Sequence, residues 1–555
     1  MQKAQNSEDD KRFAQESCDD SYSEEGLISS GNMITNTTNK CKIQLSKILA
    51  VVVVSGVLLS IVAIFLHSTP KPVHILLVQT NAPINYITNR KFLSVALDSS
   101  MIADGFSKFD MKSERLRNMM KNLSPGYLRI GGTMADRLIF VTNYLQTEKY
   151  FINQQDGSNC AYEELQCSLE SRPNFTLSDR EWLKLYNLAF TTGFTILFDL
   201  NALLRKEDGS WDYENAEKFI QFSNDNNMDV IWQLGNEPNS FPHVFNNSVN
   251  ASQLAQDFMT LRRILNKYPK YANALLVGPD ITRPRPDDTE SFSYLKEFLS
   301  AGGGHVVNAI TFHQYYFNGR TAVNTDFINP KIFDLLTAQI DMVKGLVSYY
   351  ERDKSIWLTE TSDAYGGGAP GYSNRYISTF IWLDKLGKAA KMGLDIVIRQ
   401  TLFKGFYALI DNNYEPTPNY WISAVYKAFV GEKVVPCVET SSEHVNLYCQ
   451  CTNKIFRSSS VTLFGFNLKD TDVVIRVEGL KDPRHALDTI YAYILSPYLT
   501  LFTKNVYLNK ELLVLNPDGT LPPFKPKLIT DEIHVVIPAY SSAFFVIPTD
   551  VAACR

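Results

Sequence analysis

The chain is poor in histidine and cysteine, with eight of each in 555 residues, and neither falls at metal-ligand spacing. No Cys-x-x-Cys pair is answered by a second, and Cys449-Gln-Cys451 is too tight to serve as one. A bound metal is therefore not expected, nor is any other cofactor. Excess charge is small too: 54 Lys and Arg stand against 59 Asp and Glu, a net of −5. Nothing global calls for nucleic acid, and a polyanionic substrate would need a local basic cleft. No internal repeat is visible beyond an alternation of strand and helix patterns.

Charge is missing altogether from Ile48 to Leu66. Nineteen residues at about 1.5 Å rise span roughly 28 Å, enough for a hydrocarbon core. Lys40, Lys42 and Lys47 precede the run, whereas only His67 and Lys71 follow closely. The positive-inside rule puts 1–47 in the cytosol and the rest outside the cell or in the secretory lumen or lysosome. The expected topology is a single-pass type II membrane protein with a signal anchor at 48–66; a late-cleaved signal is the alternative. Residues 1–47 are polar and weakly periodic, and read as a disordered tail. Cys18 lies in that tail and Cys41 beside the membrane. Cys160, Cys167, Cys437, Cys449, Cys451 and Cys554 lie beyond it, an even number where disulfides form. Cys160 and Cys167 can close a local loop, and Cys554 is expected to pair with Cys449 or Cys451. Sequons at Asn174, Asn246 and Asn250 are candidate glycan sites.

What the chain has is apolar residues, at 45%, and aromatic ones, at 12%. That is ample for a large barrel and a smaller domain. Short apolar runs predict strands near 92–98, 126–131, 194–200, 229–235, 273–278, 307–313, 354–360 and 394–400. Helical patterns lie between several of them, at Glu214–Asn224, Ser252–Lys267, Ile332–Tyr349 and Asn374–Met392. Eight short strands alternating with helices predict an α/β fold, a (β/α)₈ TIM barrel over 85–428. From 429 to 555, apolar runs between turn-rich loops predict an all-β sandwich. Residues 67–84 read as a linker whose strand, Val73–Val78, joins it.

Two of the barrel runs end on a carboxylate: Val230-Ile-Trp-Gln-Leu-Gly-Asn-Glu237-Pro and Ser355-Ile-Trp-Leu-Thr-Glu360-Thr. A charge at the tip of a buried strand is costly. By strand count Glu237 follows strand four and Glu360 strand seven, both on the C-terminal face where barrel enzymes hold their chemistry. Two such carboxyls suit glycosidic bond cleavage, one as proton donor and one as nucleophile.

The string Trp232-Gln-Leu-Gly-Asn-Glu237-Pro-Asn-Ser-Phe resembles the acid/base segment of the heparanase family of endo-β-glucuronidases. Trp357-Leu-Thr-Glu360-Thr-Ser-Asp-Ala-Tyr365-Gly-Gly-Gly-Ala-Pro370 resembles its nucleophile segment. Leu123-Ser-Pro-Gly-Tyr-Leu-Arg-Ile-Gly-Gly-Thr133, His313-Gln-Tyr-Tyr-Phe-Asn-Gly-Arg320, Ile398-Arg-Gln400 and Val551-Ala-Ala-Cys554 also match. The resemblance covers nearly all of 73–555. It implies a retaining mechanism with Glu237 as acid then base and Glu360 as nucleophile. It further implies that Asn236 binds the sugar 2-hydroxyl, that Tyr315 contacts the nucleophile or stacks on sugar, and that Gln400 faces the same rim. Gly366, Gly367 and Tyr407 would receive the glucuronate carboxylate beside Tyr365. Asp98 and Thr133 would touch sugar, and His313 and Arg320 would support the site. Three departures stand out. Gln233 replaces a frequent Glu. The 140–178 region is short, which implies a chain that works unprocessed. The cations that grip sulfate are sparse, leaving Arg283 and Arg285. The partner implied is a glycosaminoglycan, heparan sulfate ahead of hyaluronan; leech-type hyaluronidases of the same family make hyaluronan a rival. A non-catalytic polysaccharide-binding membrane protein is the alternative from another class.

Overall fold

The computed structural model describes residues 73–142, 173–285, 289–440, 443–457, 459–480, 489–530, 534–549 and 551–555. The 1–47 tail, the 48–66 run and the Cys160 and Cys167 pair lie outside them. Among the described residues no helix is long and apolar enough to cross a membrane.

Eight parallel strands form a nearly closed barrel: Leu93–Asp98, Gly126–Gly131, Phe194–Leu200, Val230–Leu234, Val277–Ile281, Ala309–Gln314, Ser355–Thr361 and Ile396–Arg399. Strands four and five meet only through a bridge between Trp232 and Leu276. Burial explains the composition: strands two, four, five, six and eight are buried at every position, so both faces are apolar or internally paired. One layer inside the barrel takes side chains from all eight strands: Ala96, Tyr127, Leu197, Ile231, Val277, Ala309, Trp357, and Ile396 with Ile398. Tyr127 stacks on Trp357 with ring centroids 5.3 Å apart. This layer is the floor of the site. Two residues further along strands two, three and four, the same pleat carries Arg129, Asp199 and Gln233, all buried. The polarity switch from floor to site is thus written at period two.

Strand five differs from the sequence reading. It runs Val277–Ile281, not 273–278, and passes through Pro279. Proline lacks a ladder donor and reads as a terminator, so the sequence pattern stops one residue short of it. The strand's polar tip, Asp280, was lost with it.

The all-β region has two sheets. One contains Val430–Val434, Val445–Thr452, Val461–Asn467, Ser541–Ile547 and Ile490–Pro497 in that order, with short strands at its edges. The other is ordered Cys437–Glu439, Val73–Val78, Val473–Glu478, His534–Ile537. Val73–Val78 pairs in parallel with Val473–Glu478, so the N-terminal strand closes the C-terminal sheet. Both sheets share one core that includes Leu76, Leu463, Ile475, Val535 and Phe545. Cys451 pairs with Cys554, and Cys437 takes Cys449.

Candidate active site

A cleft of about 660 Å³ opens at the C-terminal ends of the strands. Glu237 and Glu360 both line it, with Asp98, Thr133, Arg283, Arg285, Tyr315, Tyr365, Gly366, Gly367, Gln400 and Tyr407.

Glu237 stands on the turn after strand four with φ 54° and ψ 53°, a left-handed conformation rarely adopted by a side-chain-bearing residue. Pro238 follows at the start of a short 3-10 turn, and the Ser240 N–H closes back on the Glu237 carbonyl at 2.8 Å. The turn carries the carboxyl round to His313, whose Nδ1 lies 2.9 Å from Oε1 of Glu237. Nε2 of the same ring lies 3.2 Å from Oδ2 of Asp280. Burial disfavours a charged imidazole here. The carboxylates of Glu360 and Asp280, with the bonds to Asp280 and Glu237, outweigh it and raise His313 to about 10. His313 is therefore an imidazolium at neutral pH, with a proton on each nitrogen.

Glu360 is held from two sides. Tyr315 donates its hydroxyl to Oε1 at 2.8 Å, and Arg129 donates to Oε2 at 2.9 Å. Burial pushes its carboxyl above the usual glutamate range, while His313 and Arg129 pull it back. Burial likewise pushes the Tyr315 phenol up, and the Glu360 charge adds to it, so the phenol stays a donor.

Arg129 is the hub, and sequence reasoning assigned it no role. Fully buried, it also reaches Oε1 of Gln233 at 3.1 Å, Oδ1 of Asn236 at 2.9 Å, Oδ2 of Asp280 at 2.7 Å and Oδ2 of Asp199 at 3.4 Å. A Cβ on Gly131 would fall 2.6 Å from the guanidinium carbon, so only glycine fits two residues beyond it. The available signal was a lone arginine inside the apolar run Tyr127-Leu-Arg-Ile130. Burial alone would raise Asp280; Arg129 and His313 outweigh it and hold its carboxyl below the usual range. Asp199, more weakly paired, is pushed up by burial despite Arg129.

Asn236 is 3% exposed and its Oδ1 accepts twice, from Arg129 and from the Gly132 N–H at 3.1 Å. The oxygen end of the amide thus serves the protein. Asp136 anchors the same turn, accepting from the Asn236 N–H at 2.9 Å and the Ala202 N–H at 2.8 Å. Asp98 accepts from Nε2 of Gln400 at 2.9 Å, tying the tips of strands one and eight. Gly366 and Gly367 adopt φ 79° and 89°, and a Cβ on either would meet nothing within 4 Å. Their N–H groups bond no other described residue. The Tyr407 ring lies 6.4 Å from that of Tyr315.

Some expected residues are not gathered. Arg320 sits on an exposed turn outside the cleft lining. Arg283 lines the cleft, but its NH1 is turned onto the carbonyls of Tyr315 and Tyr316 at 2.7 and 2.8 Å. Asn246 and Asn250 are exposed, and Asn174 is half-buried. Asn239, Thr282, His243 and Glu290 line the cleft without having been singled out.

Glu237, His313 and Glu360 each offer one ligand atom, and these atoms all lie within 4.8 Å of one another. A cation could be considered by spacing alone. The donor set argues against one, because Arg129 already supplies positive charge to Glu360. The same spacing is the one that matters for sugar chemistry, since retaining glycosidases hold their carboxyls about 5–5.5 Å apart and inverting ones farther.

The family description "Glycosyl hydrolase family 79, N-terminal domain" matches residues 98–387. The chain belongs to glycosyl hydrolase family 79. Within reach of this family, the chain is 34% identical to heparanase of Bos taurus over 86% of this chain and 91% of that one. It is 31% identical to the hyaluronoglucuronidase of Hirudo nipponia, over 84% and 96%. It is also 32% identical to inactive heparanase-2 of Homo sapiens, over 86% and 89%. Among solved structures, the 4-O-α-L-rhamnosyl-β-D-glucuronidase of Fusarium oxysporum superposes with a TM-score of 0.61, covering 85% of this chain and 99% of that one at 15% identity. That likeness shows the fold.

Proposed function

We propose that this family 79 glycosidase is a retaining endo-β-glucuronidase that hydrolyses internal glucuronosyl linkages of glycosaminoglycans. The observation that carries it is the pair of carboxylate oxygens, from Glu237 and Glu360, within 4.8 Å of each other in one cleft. Glu360 attacks the anomeric carbon while Glu237 gives its proton to the leaving oxygen. Ester formation removes the Glu360 charge, so the Glu237 carboxylate then faces no like charge and takes a proton from the incoming water. The imidazolium of His313 steadies that carboxylate. Arg129 and Tyr315 hold Glu360 and receive it again when the ester is released. The free amide nitrogen of Asn236 suits the sugar 2-hydroxyl. The N–H groups of Gly366 and Gly367, with the Tyr407 hydroxyl, suit the glucuronate carboxylate. Asp98, Gln400 and Thr133 complete the sugar's seat.

Heparan sulfate is the favoured substrate, supported by the curated relatives named heparanase at 34% identity. Hyaluronan is the second reading. It is favoured by the leech relative and by a cleft lined by two arginines, Arg283 and Arg285, and four carboxylates, Asp98, Glu237, Glu290 and Glu360. Few cations give weak selection for sulfate. The intact carboxyl pair weighs against a purely binding role. Anchoring through 48–66, with the barrel outside the cell or in the lumen, belongs to the same proposal. Its support is the uncharged run, the lysines before it and the two disulfides beyond it.

The test incubates the chain separately with purified heparan sulfate and hyaluronan, sizes the products and identifies the new reducing end. Glucuronate at that end is expected. A hexosamine there, or two uncut polymers, would overturn the assignment.

A further inference from the structure

Strands six and seven pair out of step just before the nucleophile. Phe312 faces Leu358, but the next pairs are His313 with Glu360 and Gln314 with Thr361, so Thr359 is the extra residue of a bulge. A bulge re-aims side chains and leaves its ladder locally weak. Here it sets Glu360 beside His313. Something must hold the two tips beyond it.

The Thr361 hydroxyl donates to the Gln314 carbonyl, and one buried lysine binds both residues from outside the strands. Lys385, in the helix Thr379–Lys391, donates to Oε1 of Gln314 at 2.5 Å, to Oγ1 of Thr361 and to the carbonyl of Ser362 at 2.6 Å. Its Nζ lies 4.5 Å over the Tyr316 ring. Burial pulls this amine well below the usual lysine range, but three acceptors surround the nitrogen and only the ammonium has a proton for each. Gln314 lies between His313, which touches Glu237, and Tyr315, which touches Glu360, and Thr361 and Ser362 follow Glu360, so the clamp ties strand six to strand seven just beyond the nucleophile. A fully buried lysine is rare and costly, and an apolar residue would fill a helix position without that cost. The helix is fixed in turn from the all-β region. Asp384 accepts from Nδ2 of Asn446 and from the Tyr448 hydroxyl, both at 2.6 Å. Gly387 lies so close under the Tyr448 ring that a Cβ would fall 2.2 Å from it.

We propose that Lys385 is a positioning residue: it locks the tips of strands six and seven in the register that aims Glu360, from a helix seated on the all-β region. The proposal rests on Glu360 being the nucleophile. In the test, the full chain is treated with a 2-deoxy-2-fluoro-glucuronyl fluoride. The Glu360 carboxylate displaces fluoride at the anomeric carbon, and the slow ester is mapped by peptide mass. Wild type should label at Glu360; labelling elsewhere, or none, overturns the nucleophile reading and this proposal with it. Lys385→Met should label about 10²-fold more slowly, the scale for a misplaced reacting group. Its KM for the polysaccharide should stay within about twofold, because the groups that hold sugar are untouched. Thr361→Val should slow labelling about tenfold, and Thr361→Ser should restore most of the rate. Thr361→Val also loses the direct bond to the Gln314 carbonyl. If Lys385→Met does not fold, Gln314→Leu therefore decides the matter, since it removes a Lys385 acceptor and keeps that carbonyl bond. It should slow labelling to a similar degree; labelling at the wild-type rate would overturn the clamp. Wild-type labelling with Thr361→Val labelling equally fast, or a KM that rises in step with the loss of rate, overturns the positioning role.

Discussion

Glu237 stands on a left-handed turn with 26% of its side chain exposed, and among the described residues its carboxyl has one hydrogen-bond partner, His313. Glu360 ends a buried strand at 10% exposure, fixed by Arg129 on one oxygen and Tyr315 on the other. The same side chain is tethered loosely at one tip and tightly at the other. A proton carrier must meet first the leaving oxygen and then a water, so it keeps solvent contact and slack. A nucleophile must approach one carbon along one line, so freedom at that tip is only lost rate. Fixing Glu360 needs a buried cation, and fixing that cation needs the further carboxylates Asp280 and Asp199.

The sharpest way to break the comparison is to remove each carboxyl in turn. Glu360→Ala should lower kcat by about 10⁴-fold or more, while heparan sulfate binding survives. Glu237→Gln should cost about 10²–10⁴-fold on polysaccharide and far less in the first step on an aryl glucuronide, whose leaving group needs no proton. Added azide separates the two further: with Glu360→Ala it should yield the α-glucuronyl azide, and with Glu237→Ala the β. Equal losses on both substrates would erase the distinction between the tips.

A smaller effect is expected from Tyr315→Phe, which removes one of the two holds on Glu360. A hydrogen bond to a charged group is worth about 1.5–3 kcal/mol, so kcat should fall about 10- to 150-fold. The pH profile carries the sign. Glu360 reacts as a carboxylate and burial raises it above the ordinary glutamate value, so activity is lost as pH falls through that raised value. Removing a donor to the charged form raises it again, and the acid limb should move to higher pH. His313, at about 10, contributes no limb in the acid range. An acid limb that stays put in Tyr315→Phe would show that the phenol does not hold the carboxylate.

The smallest effect on turnover should come from the all-β region. Removing the Cys451–Cys554 bridge by a double serine substitution opens a separation of 103 residues, against 12 for Cys437–Cys449. The longer loop should cost more, within about 2–5 kcal/mol, read as a drop in Tm. Turnover per folded molecule should stay near wild type; a large loss there would tie this edge of the fold to the site.

Local pattern made much of this legible. Strands two and three end where their apolar runs end, and the helix Glu214–Asp225 follows its amphipathic stripe. Both carboxylates announced themselves as charges at strand tips. Asp280 did not, because Pro279 masked the strand that carries it. Arg129 and Lys385 did not either. Arg129 looks like an isolated charge in an apolar stretch and Lys385 like one of several charges on a helix; the meaning of the first lies in partners from four other strands, and of the second in partners from strands six and seven.

Composition and periodicity alone settled the alternation of strands and helices and the identity of two acidic tips, because both are written within a dozen neighbouring residues. Tertiary packing decided the rest: barrel closure set how near Glu237 comes to Glu360 and which cation neutralises which carboxylate, and the packing of the all-β region set that Cys554 takes Cys451. Those outcomes depend on distances between residues far apart in the chain, and such distances exist only once the sheets have formed and packed.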